Sequence, residues 1–149
     1  MIICQIQHGT AEYEETVALR NDILRRPLGL VFTPGSLANE ANEFHIACYN
    51  RGQLVGCLIL APQAEGEVKM RQVAVAESSQ RSGVGKAMVN FSEEFARKNN
   101  FSKITMHARE SAIPFYLQLG YEVIGDRFEE VNIPHYTMMK EISSGEATT

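Results

Sequence analysis

Eight residues, Gln80-Arg81-Ser82-Gly83-Val84-Gly85-Lys86-Ala87, constrain this chain more than any others. A strand-like run, Val68 to Val75, precedes them, and an amphipathic helix pattern follows. A glycine-bearing turn between strand and helix lets the backbone approach an anion closely. Several N–H groups then converge on one spot, and the helix N-terminus adds partial positive charge. Arg81 and Lys86 add full charges beside it. The stretch predicts a phosphate-binding unit; the bland alternative is a glycine-rich turn that binds nothing.

Three phosphate-loop patterns compete. A Walker A loop needs glycine at position 80, which is Gln80, and a hydroxyl at position 87, which is Ala87. A dinucleotide fingerprint meets Met88 where glycine or alanine belongs. The third pattern, Gln/Arg-x-x-Gly-x-Gly/Ala, is met by Gln80, Gly83 and Gly85. It resembles the pyrophosphate-binding signature of the GNAT N-acetyltransferases, which hold acetyl-CoA. The strand before the loop adds to the likeness. Val68 and Met70 share one phase of the strand period, while Val73 and Val75 fall in the other. Such a slip is what a β-bulge produces, and the family has a bulge in this strand.

A second segment strengthens the resemblance. Ala112-Ile113-Pro114-Phe115-Tyr116-Leu117-Gln118-Leu119-Gly120-Tyr121 is similar to the family's A-x-x-F-Y-x-x-L-G-F/Y ending, at the expected distance after the loop. The likeness covers about residues 55–142. Arg25 to Leu30 and the Phe128 to Met138 run further resemble a small bacterial-type branch of the family. One departure is Arg109, seven residues before Tyr116, where the family often has a cofactor-contacting Asn.

Between these motifs the chain reads as alternating elements. Ile2 to Ile6 is a strand, and Thr10 caps a helix with Tyr13, Val17, Ala18 and Leu24 on its stripe. Leu30 to Glu43 is irregular, with Pro34-Gly35 as a turn and room for a short helix. Phe44 to Tyr49 and Gln53 to Leu60 flank an Asn50-Arg51-Gly52 hairpin signal. Val84, Ala87, Met88, Phe91 and Phe95 form one helical face, with Glu93 and Glu94 off it. Ile104 to Ala108 alternates as a strand. Ser111 is placed to cap a short helix, Ala112 to Leu119. Tyr121 to Ile124 is a strand, Asp126 to Pro134 a loop, and His135 to Ile142 a final strand.

The resemblance implies an α/β fold, the GNAT acyl-CoA N-acyltransferase fold. It has a mixed, mostly antiparallel central sheet with a bulged, splayed strand and helices on both faces. Length suits one domain, 1–142, followed by a polar tail, 143–149. A net charge of −4 leaves no nucleic-acid footprint. No apolar run reaches membrane-spanning length. Three cysteines without Cys-x-x-Cys, and histidines without ligand spacing, imply reduced thiols, a cytoplasmic protein and no metal.

The resemblance implies transfer of an acetyl group from acetyl-CoA to a primary amine of a small molecule or peptide, in a direct ternary complex. A monomer or homodimer is expected. By that resemblance the cofactor meets Val73, Ala74 and Val75, the loop from Gln80 to Ala87, and Arg109, Phe115 and Tyr116. Tyr116 supplies a proton to the thiolate. Glu67, His107 and His135 are the candidates for the base that deprotonates the amine. The alternative is a non-catalytic CoA-binding sensor or interaction module on the same fold.

Overall fold

The computed structural model describes residues 1–142. In chain order these form β1 (Ile2–Ile6), α1 (Ala11–Arg20), α2 (Pro34–Ala38), β2 (Phe44–Asn50), β3 (Gln53–Pro62) and β4 (Glu67–Val75). They continue with α3 (Val84–Lys98), β5 (Lys103–Arg109), α4 (Ile113–Gln118), β6 (Glu122–Glu130) and β7 (Ile133–Glu141). The strands make one seven-stranded sheet in the order β1-β2-β3-β4-β5-β7-β6. β4 and β5 run parallel. The ladders β1–β2, β2–β3, β5–β7 and β6–β7 are antiparallel. The β4–β5 ladder covers only Glu67–Lys69 against Lys103–Thr105, although both strands continue past it. The mixed sheet and its briefly paired centre are those expected.

The chain divides into two compact units. One holds Met1–Ala61 and Arg71–Ser92; the other holds Pro62–Met70 and the chain from Glu93 onward.

In the first unit, Thr10 caps α1 as expected, its side chain accepting from the Tyr13 N–H at 3.2 Å. The helix buries Tyr13, Thr16 and Arg20, a stripe at i, i+3 and i+7. It does not run regularly to Pro27: a wider turn, Asn21–Arg25, and a tight one, Arg26–Leu28, follow. Pro34-Gly35 opens α2 instead of forming a turn. Thr33 and Ser36 build a capping box there, and Pro34 sits where its missing N–H costs nothing. Arg51 and Gly52, both at positive φ, make the tight β2–β3 hairpin. β3 is buried from Val55 to Ala61, as its two-sided apolar sequence demands.

In the second unit, Ile104, Met106 and Ala108 of β5 face the core. Ser111 does not cap α4; it lies in a single tight turn, and Ala112 precedes the helix without a side-chain cap. The expected loop from Asp126 to Pro134 is instead strand. β6 runs to Glu130, and a tight turn at Val131 and Asn132 leads into β7. β6 is the last strand of the sheet, and charges along an edge discourage pairing with other chains. Those charges are what make it read as loop.

Glu93 also departs from expectation. It is buried, not off the apolar face of its helix. Lys140 Nζ donates to both Glu93 carboxylate oxygens at 3.0 and 3.1 Å, and to the Leu119 carbonyl at 2.8 Å. The Tyr121 hydroxyl donates to Glu93 Oε2 at 3.0 Å. One ammonium thus closes the C-terminal end of α4 and neutralises a buried acid. The expected tail, 143–149, lies outside the described residues.

Candidate active site

In the first unit, β4 loses its regular geometry at Gln72, whose φ is 55°. Successive side chains of a strand point to opposite faces. Here Arg71 and Gln72 both enter one polar network, as the paired residues of a bulge do. Arg71 Nη1 donates to Glu43 Oε1 at 2.9 Å and lies 3.6 Å from Glu40 Oε2. Gln72 Oε1 accepts from Arg20 Nε at 3.3 Å. The expected bulge is thus centred on residues 71 and 72. Beyond it Ala74 is buried, while Val73 and Val75 stay half-exposed.

The network has a deeply buried ion pair at its centre. Arg20, 1% exposed, donates Nη1 and Nη2 to Glu40 Oε1 and Oε2 at 2.8 and 2.6 Å. The Tyr13 hydroxyl donates to Glu40 Oε1 at 2.7 Å. His45 Nε2 donates to the Glu40 carbonyl at 2.9 Å. Burial opposes ionisation of Glu40. The hydrogen bonds from Arg20 and Tyr13, with the charges of Arg20 and Arg71, outweigh it and hold the carboxyl below its ordinary range. Burial keeps His45 below its ordinary value, hence neutral. Sequence reasoning missed this network. Its one legible signal is Arg20, a charge on the same helical stripe as Tyr13.

The glycine loop follows β4 in the same unit. The Gln80 side-chain amide donates to the Val75 carbonyl at 3.0 Å, tying the loop to the strand end. Ser82 donates its hydroxyl to the Ser79 carbonyl. Arg81 and Gly83 take positive φ, 65° and 90°. The Gly83 carbonyl accepts the Ala87 N–H at 3.0 Å, so α3 starts there. The N–H groups of Val84, Gly85 and Lys86 therefore precede the first intrahelical bond. A Cβ at Gly83 meets no atom within 4 Å, and Arg81, Ser82, Gly83 and Lys86 are exposed. An open backbone, a fresh helix N-terminus and two cationic side chains fit a pyrophosphate.

In the second unit, Tyr116 is buried on α4. Its ring meets Phe115 at 5.0 Å and Tyr121 at 5.8 Å, both edge-on. Among the described residues no hydrogen bond engages its hydroxyl. Burial alone pushes its pKa up to about 12, above the ordinary tyrosine value. Phe115 is partly exposed. Arg109 ends β5, opposite His135.

The structure brings His107 and His135 together around Glu130, and puts Glu67 in a different group. His107 Nδ1 lies 2.9 Å from Glu130 Oε1, and His135 Nε2 lies 3.9 Å from Glu130 Oε2. Phe128 meets His107 edge-on at 5.0 Å and stacks on His135 at 5.8 Å. His135 is buried, its Nδ1 donating to the Ile133 carbonyl at 2.7 Å. Lys69 Nζ lies 3.3 Å from His107 Nδ1. The two contacts compete for Nδ1, which accepts from Lys69 only without a proton and donates to Glu130 only with one; the shorter contact is the one to Glu130. Glu67 accepts from the Thr105 hydroxyl at 2.9 Å and lies 3.8 Å from Lys103 Nζ. Among the described residues, no group of three or more His, Cys, Asp or Glu is placed to hold a metal ion. No described helix is long and apolar enough to cross a membrane.

Residues 32–142 match the family model for the acetyltransferase (GNAT) domain. This chain belongs to the GNAT acetyltransferase family. As a GNAT protein it is an acetyl-CoA-dependent acetyltransferase. It is similar to YyaT of Bacillus subtilis (strain 168), 30% identical over 127 residues, 76% of this chain and 83% of that one. It is 31% identical over 106 residues to YjcF of the same organism, an uncharacterised N-acetyltransferase, covering 70% and 74%. Among solved structures, Escherichia coli ElaA has a TM-score of 0.82 at 18% identity, covering 95% of this chain and 100% of that one. An aminoglycoside 6'-N-acetyltransferase complexed with coenzyme A has a TM-score of 0.77 at 18% identity, covering 95% and 97%. At such identities the structures speak to the GNAT fold alone.

Proposed function

We propose that this protein transfers an acetyl group from acetyl-CoA to a primary amine of a small molecule or peptide, directly within a ternary complex. The observation that carries the reading is the loop at Gly83. Exposed backbone, a helix start and the charges of Arg81 and Lys86 meet there, directly after a strand with a bulge. The pyrophosphate takes the loop N–H groups. The backbone at Val73 and Val75, residues that are half-buried, takes the pantetheine arm and polarises the thioester oxygen.

The amine nitrogen attacks the thioester carbon, the carbon–sulfur bond breaks, and the amine loses a proton as the sulfur gains one. Tyr116 donates to the departing sulfur. Cys48 and Cys57 do not serve as acyl carriers: both are buried, and burial pushes the Cys57 thiol up to about 12. Among the candidate bases, His107 suits the role best. In the tautomer whose Nδ1 donates to Glu130, Nε2 offers a lone pair on a side chain that is 35% exposed. Glu67 is occupied by Thr105 and Lys103, and His135 is buried, which shields its Nε2 from an incoming amine.

Two measurements test this. Gly83→Asp puts a carboxylate where no atom lies within 4 Å, but at a φ of 90° that strains any L side chain. Gly83→Ala, which carries the same strain without the charge, is the control. Acetyl-CoA affinity of the aspartate variant should fall by more than about tenfold beyond that control, a like charge facing a phosphate. Calorimetric titration of a variant that melts normally reads the change, and unchanged affinity overturns the cofactor site. His107→Gln should flatten the acidic limb of the kcat/KM profile for a reactive amine, while Glu67→Gln and His135→Gln keep it. If the limb survives in the His107 variant, the amine is deprotonated elsewhere.

A further inference from the structure

Gln72 stands in a conformation that L side chains rarely adopt, and glutamine brings no local hydrogen bond to favour it as Asn or Asp do. Among the described residues of β4 it alone has positive φ. Something outside the strand must hold it. Its carboxamide oxygen is 3.3 Å from Arg20 Nε, and Arg20 is locked on both Glu40 oxygens. Arg71, the residue before it, is held on Glu43 and Glu40. Both residues of the bulge are thus gripped by one buried network, whose anchor points lie on α1 and the segment after α2.

The dihedrals of Gln72 set the direction of the peptide between residues 72 and 73, and so of the Val73 N–H. Resting on the reading of Val73 and Val75 as the acyl-CoA contact, we propose that Gln72 is a positioning residue. Through Arg20, its side chain holds β4 in the left-handed bend that aims this peptide at the acyl-CoA arm. Gln72 itself touches no substrate in this reading. Arg20, although buried, acts on the chemistry through one amide hydrogen bond. A surface-exposed contact with the cofactor is not required of either residue.

The test uses three variants of the full chain: Gln72→Ala, Gln72→Glu and Gln72→Gly. Alanine removes the anchor and leaves the strain, so the bend relaxes. Glutamate keeps an acceptor for Arg20. Glycine removes the anchor and also the steric objection to the bend. Displacing a positioned group by a fraction of an ångström to one ångström costs about tenfold to a hundredfold. The alanine variant should raise KM for acetyl-CoA and weaken its calorimetric affinity by such a factor, with KM for the amine unchanged. Glutamate and glycine should each recover most of that loss. A merely structural role predicts the reverse order of readouts: lower melting temperatures without a selective change toward acetyl-CoA.

Wild-type affinity in Gln72→Ala overturns the proposal. Equal losses in the alanine, glutamate and glycine variants also overturn it, since the carboxamide would then be touching substrate. The two readings fail separately. If Gly83→Asp loses affinity and Gln72→Ala does not, only the positioning role is wrong. If both keep wild-type affinity, the acyl-CoA site itself lies elsewhere.

Discussion

With Tyr116 as the proton donor proposed above, Tyr116→Phe is expected to lower kcat by about 10²–10⁴, the usual loss on removing a general acid, and to leave acetyl-CoA affinity nearly unchanged. The substitution deletes one oxygen. The ring contacts with Phe115 and Tyr121 do not depend on that oxygen, so packing persists. Because burial alone pushes the hydroxyl up to about 12, it stays protonated at every working pH. Tyr116 therefore contributes no alkaline limb to the rate profile below that value. Tyr121→Phe is the matched control. Its hydroxyl is committed to Glu93, so its loss should lower the melting temperature and spare kcat. The decisive measurement is kcat for both variants with a reactive amine, where chemistry limits the rate. A wild-type kcat for Tyr116→Phe leaves that residue a packing group.

Arg20→Ala should destabilise the fold by roughly 3–5 kcal/mol, the typical cost of removing one partner from a buried ion pair. Glu40 would remain buried without its bidentate donor, retaining only Tyr13 and the more distant Arg71. Denaturant unfolding reads the change, and a loss under about 1 kcal/mol would rank the pair with surface bridges. The acid dependence follows from Glu40. Its folded pKa lies below its unfolded value, near about 4.3 for glutamate. Its contribution is therefore present above that value and is lost as pH falls through the folded pKa. Wild type should lose stability along this limb, and the Arg20 variant should show a shallower one. Equal acid limbs in the two proteins would place the titrating group elsewhere.

Much of the fold was legible because the deciding forces are local. Thr10 satisfies an N–H three residues away, and β1 appears with the bounds its apolar run implies. The loop at Gly83 was legible for the same reason, since glycine and a helix start are both written within a few residues. What was not legible depends on distant partners. Ser92, Glu93 and Ala96 face inward on α3, whereas Phe91 and Phe95 are only half-buried. Reading the face by apolarity therefore turned the helix slightly. Glu93 is tolerated inside only because Tyr121 and Lys140 arrive from later in the chain. Arg20, Glu40 and Gln72 are separated by up to 52 residues, and no periodicity links them. The grouping of His107 and His135 arises from the β5–β7 ladder, which sets Arg109 opposite His135, and from β6 carrying Glu130 to both rings.

The Lys140 ammonium has a bearing on how this protein is made. α4 is a helix of six residues, too short to persist on its own, and its final turn is finished by a side chain from β7. During synthesis, Tyr116 leaves the ribosome well before Lys140 does. A nascent chain arrested ahead of β7 therefore carries the motif without the fastening that orders it, and it also leaves Glu93 unneutralised. The fastening of the helix that carries Tyr116 is thus completed late, when the strand bearing Lys140 joins the sheet. A truncated product that ends before Lys140 lacks that fastening.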